Sequence, residues 1–254
     1  MNLLPMAAAV FLGACLGSFA NVLIHRLPLG QGVARGRSHC PRCEKMIAWY
    51  DNIPVLSWLA LRGRCRHCHE PIAWRYPVVE LVGAALAAAC LYLAGITATA
   101  ASAFVFVYLL GAIAVIDWEH MIIPHTLSIT GMVAGLALSE FTGLGLSQSI
   151  LGLLVGGGSV WALSEGYRLL KGQPGMGFGD VMLMGMVGTF LGPWPAAAVL
   201  GAGAFLGTLY VVIRSGGRPD GTAKLPFGTF LAAAAAVVLV VGGDIWNWYL
   251  GLLS

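Results

Sequence analysis

Charge is scarce in this chain. Asp, Glu, Lys and Arg make up 10% of its 254 residues, hydrophobic residues 58%, and the mean hydropathy is +0.83. A soluble domain carries roughly 25% charged residues, so a water-soluble globular fold is excluded and an all-α polytopic membrane protein is expected. No basic residue precedes His25 and Arg26. A secretory signal peptide needs a basic n-region ahead of its apolar core. Residues 1–24 are therefore expected to form an uncleaved transmembrane anchor with its N-terminus outside, and Leu12-Gly13-Ala14-Cys15 is not read as a lipoprotein cleavage box. No strand followed by a G-x-G-x-x-G turn and a helix is present, which excludes a Rossmann-type nucleotide site. No nucleic-acid partner is expected.

What the chain does have is apolar length. After the first segment, apolar runs fall at 78–97, 101–117, 126–142, 146–167, 181–192, 196–213 and 225–250. The total is about eight transmembrane helices in contact with a lipid bilayer. Residues 26–77 stand apart: they hold nine of the fourteen Lys and Arg and four of the six Cys. The remaining basic residues are Arg168, Lys171, Arg214, Arg218 and Lys224. With the N-terminus outside and eight crossings, every one of these lies on the cytoplasmic side, as the positive-inside rule requires. The outer loops near 98–100, 143–145 and 193–195 carry no Lys or Arg, and Trp246, Trp248 and Tyr249 are expected in an outer aromatic belt. Three parts follow: a first helix at 1–25, a cytoplasmic four-cysteine domain at 26–77 and a seven-helix membrane domain at 78–254. Glycine is abundant, with 35 residues, and Gly13/Gly17, Gly131/Gly135, Gly152/Gly156 and Gly203/Gly207 have the small-xxx-small spacing that lets helices approach in lipid. Such pairs serve packing within one chain or between chains, so the oligomeric state stays open.

Two aspartates break the apolar pattern. Asp117 lies in AVIDWEHMIIP (114–124) and Asp180 in GMGFGDVMLMG (175–185). An ionised carboxylate at membrane depth is costly, which makes each a functional-site candidate. The topology puts Asp117 where the third segment reaches the cytoplasmic face and Asp180 where the sixth leaves it. Two carboxylates at one depth share a proton, since like charges about 3 Å apart cannot both ionise. One then serves as base toward a water and the other protonates a scissile carbonyl, which is aspartic-protease chemistry. In Gly175–Gly179 the alternating glycines permit unusual backbone angles and close approach. Gly177 and Gly179 are thus candidates for holding an extended peptide substrate; the competing reading makes Asp180 a helix N-cap. Glu80 is an intramembrane acid at the start of the second segment, suited to orienting Arg75, lining the site or serving the helix start. Asn21 is read as an interhelical hydrogen bonder.

The second constellation is Cys40-x2-Cys43 and Cys65-x2-Cys68, with 21 residues between the pairs. Paired C-x2-C knuckles in a reducing compartment read as a closed tetrahedral site for structural Zn2+. Such a site folds a loop too small to build a core. Cys15 and Cys90 sit in apolar segments and are read as packing residues.

These motifs resemble those of the type 4 prepilin peptidases, bifunctional membrane enzymes of type IV pilus, type II secretion and DNA-uptake systems. The similarity runs through GSFANVLIHRLP (17–28), WYDNIPVLSWLALRGRC (49–65), PIAWRYPVVE (71–80), IDWEHMIIP (116–124), GMGFGD (175–180) and LPFGTFLA (225–232). The resemblance implies that Asp117 and Asp180 are catalytic and that Cys40, Cys43, Cys65 and Cys68 bind zinc. It also implies cleavage of the basic leader of prepilins and pseudopilins at the cytoplasmic face of the bacterial inner membrane. S-adenosyl-L-methionine would then methylate the new N-terminus. Met182 stands where members of that family often carry Lys, which bears on substrate preference. Two other classes meet the same residues: a transporter with intramembrane carboxylates, which would more often show related halves and midplane charge, and a zinc-binding membrane assembly factor with idle aspartates.

Overall fold

The structure, a computed structural model, describes residues 3–33, 38–172, 175–216 and 225–253, without the side chains of 244–250, 252 and 253. The expected belt at Trp246, Trp248 and Tyr249, like Arg218 and Lys224, lies outside the described residues. Every expected apolar segment is a helix, and among the described residues no strand forms. In order these are α1 (Leu3–Arg26), a 3-10 turn (Trp49–Asn52), α2 (Leu56–Ala60), α3 (Arg75–Ala94) and α4 (Ala98–His120). Then follow α5 (His125–Leu138), α6 (Leu146–Lys171), α7 (Phe178–Leu191), α8 (Pro193–Arg214) and α9 (Phe227–Leu253). The short α2 belongs to the four-cysteine loop, which leaves eight helices of membrane type. Five of them, α1, α3, α4, α6 and α8, are long and apolar enough to cross a bilayer by themselves.

The chain forms two compact units, Met1–Ala100 and Ala101–Ser254. In the first, α1 and α3 run antiparallel at very close range. A Cβ at Gly13 would collide with the backbone of Gly83, and one at Gly17 would lie 2.7 Å from Glu80 Cα. Asn21 Nδ2 donates across the same interface to the Tyr76 carbonyl at 3.2 Å, the interhelical bond expected of it. Small residues here let two backbones meet where lipid supplies no hydrophobic drive.

In the second unit, α7 is the central helix: Leu183, Met184, Met186 and Val187 are fully buried. It packs antiparallel to α6 through Gly152 against Gly188 and Gly156 against Met184, with Ser149 Oγ donating to the Thr189 carbonyl at 2.7 Å. Gly131 and Gly135 receive Met186 and Thr189, and Gly203 and Gly207 receive Leu231 and Leu225. All four small-residue pairs thus seat helices of this chain. The helices differ in reach. From the Gly156–Met184 crossing, α6 continues to Lys171 while α7 begins at Phe178. At 1.5 Å per residue α6 overshoots the start of α7 by about 13 Å. The N-terminus of α7 is therefore recessed within the helix bundle, and Asp180 with it.

Local sequence explains the two turns that matter. Met121, in the left-handed region at φ 55°, ends α4 after His120, and Pro124 is the extended residue just before α5 begins at His125. The glycine-rich run departs from expectation. Gly175 and Met176 bend, Gly177 alone is extended, at φ −72° and ψ 148°, and Phe178 already begins α7, so Gly179 belongs to a helical turn rather than to a strand-like surface.

Candidate active site and zinc-binding loop

Asp117 sits in the last turn of α4 and Asp180 in the first turn of α7; they are 5% and 9% exposed. Each carboxylate is met by backbone amides at a helix start, where N–H groups lack intrahelical partners and the helix dipole favours an anion. Asp180 Oδ2 accepts the Gly177 amide at 3.1 Å. It supplies the carboxylate half of a capping box, so the N-terminal role weighed from sequence is real and coexists with burial in the site. Asp117 is held from α9. Its Oδ2 accepts the Thr229 amide at 2.8 Å and lies 3.2 Å from Thr229 Oγ1, which is also 3.0 Å from the Ala114 carbonyl.

One side chain gathers the two acids. Ile123, 7% exposed, fills the space between the start of α7 and the start of α9. A Cβ at Gly179 would lie 2.8 Å from Ile123 Cβ. A Cβ at Gly228 would lie 2.6 Å from Ile123 Cδ1 and 3.1 Å from Asp117 Oδ2. Glycine is required at both places because α4's turn, α7 and α9 converge there. Ile123 thus touches the start of α7 that carries Asp180 and, through Gly228, the position beside Asp117, so the two carboxyl groups border one site. Outside it stand two aromatic pairs: Trp118 with Tyr210 at 5.8 Å, and Phe178 with His125 at 5.6 Å. Trp118 and Phe178 are each half or more exposed.

Thr229, Gly228 and Ile123 carry no titratable group and escaped sequence reasoning. The available signal was the motif LPFGTFLA, in which a Gly-Thr pair opens an otherwise apolar helix.

The four cysteines converge in the first unit. Their Sγ atoms all lie within 4.8 Å of one another, and Cys40 Sγ is 3.8 Å from Cys68 Sγ. Four thiolates about 2.3 Å from a tetrahedral Zn2+ are about 3.8 Å apart, so the cluster fits the ion. The two knuckles are copies of each other. Cys40 N donates to Lys45 O, Glu44 N to Cys40 O and Ile47 N to Ser38 O; Cys65 N donates to Glu70 O, His69 N to Cys65 O and Ile72 N to Gly63 O. Glu44 and His69 occupy the same left-handed position, at φ 57° and 58°. The amides of Cys68 and His67 draw the Cys65 thiol down to about 7, while burial and the neighbouring thiols push the Cys68 thiol up.

Between the knuckles the loop is tied down by side chains. Ser57 Oγ donates to Tyr50 O at 2.8 Å and accepts from Ile53 N at 3.0 Å. Trp58 Nε1 donates to Ile72 O at 3.2 Å, and Arg66 pairs with Asp51 through two contacts. Glu80 has a role the sequence left unresolved. Buried on α3, it accepts the Val55 amide at 2.7 Å. Val55 is the centre of a tight turn in which Leu56 N reaches Pro54 O at 2.6 Å, at φ 62° and ψ −49°. A β-branched residue in that region is strained, and Glu80 is what holds it.

Comparison with known proteins gives a consistent picture. The profile of the bacterial peptidase A24 N-terminal domain matches residues 11–94, and that of the type IV leader peptidase family matches residues 104–212. A prepilin leader peptidase/N-methyltransferase of Myxococcus xanthus (strain DK1622) is 42% identical over 87% of this chain and 69% of its own length. The proteins of that name from Aeromonas hydrophila and Burkholderia pseudomallei (strain 1026b) are 34% and 36% identical, over 92% and 94% of this chain and 90% and 86% of theirs. No solved structure matches the chain.

Proposed function

The chain belongs to the type IV leader peptidase family, and on that footing we propose how its own residues perform the two reactions. It is a membrane-embedded prepilin leader peptidase and N-methyltransferase. It removes the basic leader of type IV prepilins and pseudopilins and methylates the N-terminus that cleavage exposes. The observation that carries this reading is the pair of buried carboxylates gathered around Ile123, each met by amides at a helix start. Nothing among the relatives supports the transporter or the non-catalytic assembly factor.

Asp117 is assigned as the base. Two donors from Thr229 and the N-terminus of α9 favour its ionised form. Asp180, with one amide donor and the Asp117 charge beside it, carries the shared proton. A water between them loses a proton to Asp117 as its oxygen attacks the scissile carbonyl carbon, and Asp180 protonates the carbonyl oxygen. When the tetrahedral diol collapses, the C–N bond breaks, Asp117 returns its proton to the leaving nitrogen, and Asp180 recovers one from the diol. Thr229 Oγ follows this cycle without moving. It donates to Asp117 when that group is ionised; when Asp117 is protonated it accepts, and turns its own proton to Ala114 O. Gly177, extended and just before α7, and Gly179 are assigned to the substrate side of the site, with Trp118 and Phe178 as apolar flanks. Met182, half-buried two residues after Asp180, keeps that flank free of charge and biases it toward apolar substrate residues.

The basic helix ends set the orientation. Arg168 and Lys171 close α6 and Arg214 closes α8, at the same end of the second unit as the aspartates; by the positive-inside rule that end faces the cytoplasm. The basic leader of the substrate then stays in water while its apolar helix lies in the bacterial inner membrane. Residues 1–25 act as the anchor, 26–77 as the zinc-binding region serving methyl transfer, and 78–254 as the peptidase. Zn2+ held by Cys40, Cys43, Cys65 and Cys68 closes the loop structurally. S-adenosyl-L-methionine supplies the methyl group when bound.

The test is incubation of the purified protein with a prepilin and labelled S-adenosylmethionine. Wild type is expected to release the leader and label the mature chain; Asp117→Ala and Asp180→Ala are expected to release none. Full processing by both variants would overturn the assignment.

A further inference from the structure

One element of the first unit is built inside out. In α2 the polar Ser57 is buried, its Oγ donating to Tyr50 O and accepting from Ile53 N. Leu56 and Leu59, three residues apart and so on one face of the helix, are 64% and 58% exposed. Two tryptophans accompany them. Trp49, which opens the 3-10 turn, is 76% exposed, and Trp74, just before α3, is 72% exposed. A segment surrounded by water folds the other way, with leucine inside and serine outside. Neither the zinc site nor the aspartate pair uses these four side chains.

The turn that leads into α2 is tied to a membrane helix. Helix α3 has 20 residues, about 30 Å at 1.5 Å per residue, which equals the hydrocarbon thickness of a bilayer. Its first residue, Arg75, therefore lies at the hydrocarbon edge. Glu80 is about 7.5 Å further along the axis, and its buried carboxylate accepts the Val55 amide at 2.7 Å. Helical side chains lean toward the helix start, so the carboxylate and the Val55 turn sit between that edge and the depth of the Glu80 backbone. Leu56 follows directly and is held where lipid, not water, surrounds the protein. The other end of α2 is fastened to the segment leading into α3, through Trp58 Nε1 and Ile72 O.

We propose that the Leu56–Leu59 face of α2, with Trp49 and Trp74 beside it, is inserted into one lipid leaflet at the boundary between headgroups and acyl chains. Apolar faces that lie on a membrane rather than across it sit about 5–10 Å deep at that boundary, and tryptophan is enriched there. The Glu80–Val55 bond sets the depth. Insertion holds the four-cysteine loop against the membrane surface, so the region to which methyl transfer is assigned works at the level where the substrate's apolar helix meets water. The inference goes beyond both activities and depends only on α3 spanning the bilayer.

Zinc-loaded full-length protein in phosphatidylcholine nanodiscs tests it. A nitroxide-bearing amino acid replaces Leu56, Leu59, Leu81 or Lys45, one at a time. Its collisions with oxygen, which concentrates in lipid, are compared with its collisions with a water-soluble nickel chelate. Leu81, 53% exposed on α3, is the lipid reference, and exposed Lys45 in the first knuckle is the water reference. Zinc stoichiometry shows that each labelled loop is folded. The oxygen-to-nickel ratio at Leu56 and Leu59 is expected to match that at Leu81 and to exceed that at Lys45 by about tenfold, because hydrocarbon excludes a polar solute. A ratio equal to that at Lys45 would place the face in water and overturn the proposal. Shielding from both reagents would mean that a partner protein or a second copy covers the face, and would overturn it equally. No prepilin or methyl donor enters the measurement, so either result leaves the peptidase and methyl-transfer readings as they stand.

Discussion

Each cysteine knuckle is shaped by backbone hydrogen bonds between residues no more than nine apart, whereas Asp117 is held by Thr229 from 112 residues away. The loop is local, polar and too small to bury a core, so a metal and a few buried side-chain bonds must organise it. The aspartate site is made from helices that meet only after the membrane domain has packed, and its precision comes from glycines that admit Ile123. The difference teaches where each region is vulnerable: the loop to loss of ligands, the aspartate site to one added methyl group.

Removing a ligand should have the largest effect. Cys65→Ser is expected to lower bound zinc from one per chain to under about a tenth, because structural zinc supplies most of the folding energy of such loops. Limited trypsinolysis should then cut at the arginines near residues 62–66, while the far-ultraviolet circular dichroism of the helices stays unchanged. Normal zinc stoichiometry in this variant would count against the four-thiolate site. Next is Gly228→Val, whose side chain would collide with Ile123 and Asp117. A loss of leader cleavage of about 100-fold is expected, in line with other small displacements of reacting groups, with zinc content untouched. Smaller still is Thr229→Val, which keeps the amide to Asp117 but removes the hydroxyl. Its kcat for leader removal should fall about tenfold with KM steady, as befits loss of one hydrogen bond to a charged group, and Thr229→Ser should restore it. Equal kcat for Val and wild type would leave Thr229 a packing residue.

How far these features could be read in the sequence follows the same division. The cysteine spacing announced the zinc site because the ligands come in local pairs, and the scarcity of charge exposed Asp117 and Asp180 because each stands alone in an apolar run. The helix count was legible from apolar length. Helix starts were less so: α7 begins at Phe178, not after the aspartate, because a carboxylate two residues inside a helix caps it as well as one just before it. Thr229, Gly228 and Ile123 stayed hidden because their value lies in contacts across more than fifty residues. Glu80 was visible as an odd acid, but its partner is a backbone amide on a strained turn, and a backbone amide has no letter in a sequence. The repeat of the two knuckles, SHCPRCEKMI and GRCRHCHEPI, was on the page throughout; only the matching hydrogen bonds make it apparent.

The central claim is that Asp117 and Asp180 act as one unit, and a double-variant cycle tests it most directly. Single-turnover cleavage of a prepilin should be measured for wild type, Asp117→Asn, Asp180→Asn and the double variant in the same nanodiscs. Each single change is expected to cost at least about 10³-fold, as loss of a general acid or base does, and the double variant no more than either single one, as for residues that work together. Cleavage near the wild-type rate in either single variant, or losses that multiply in the double one, would contradict a shared site.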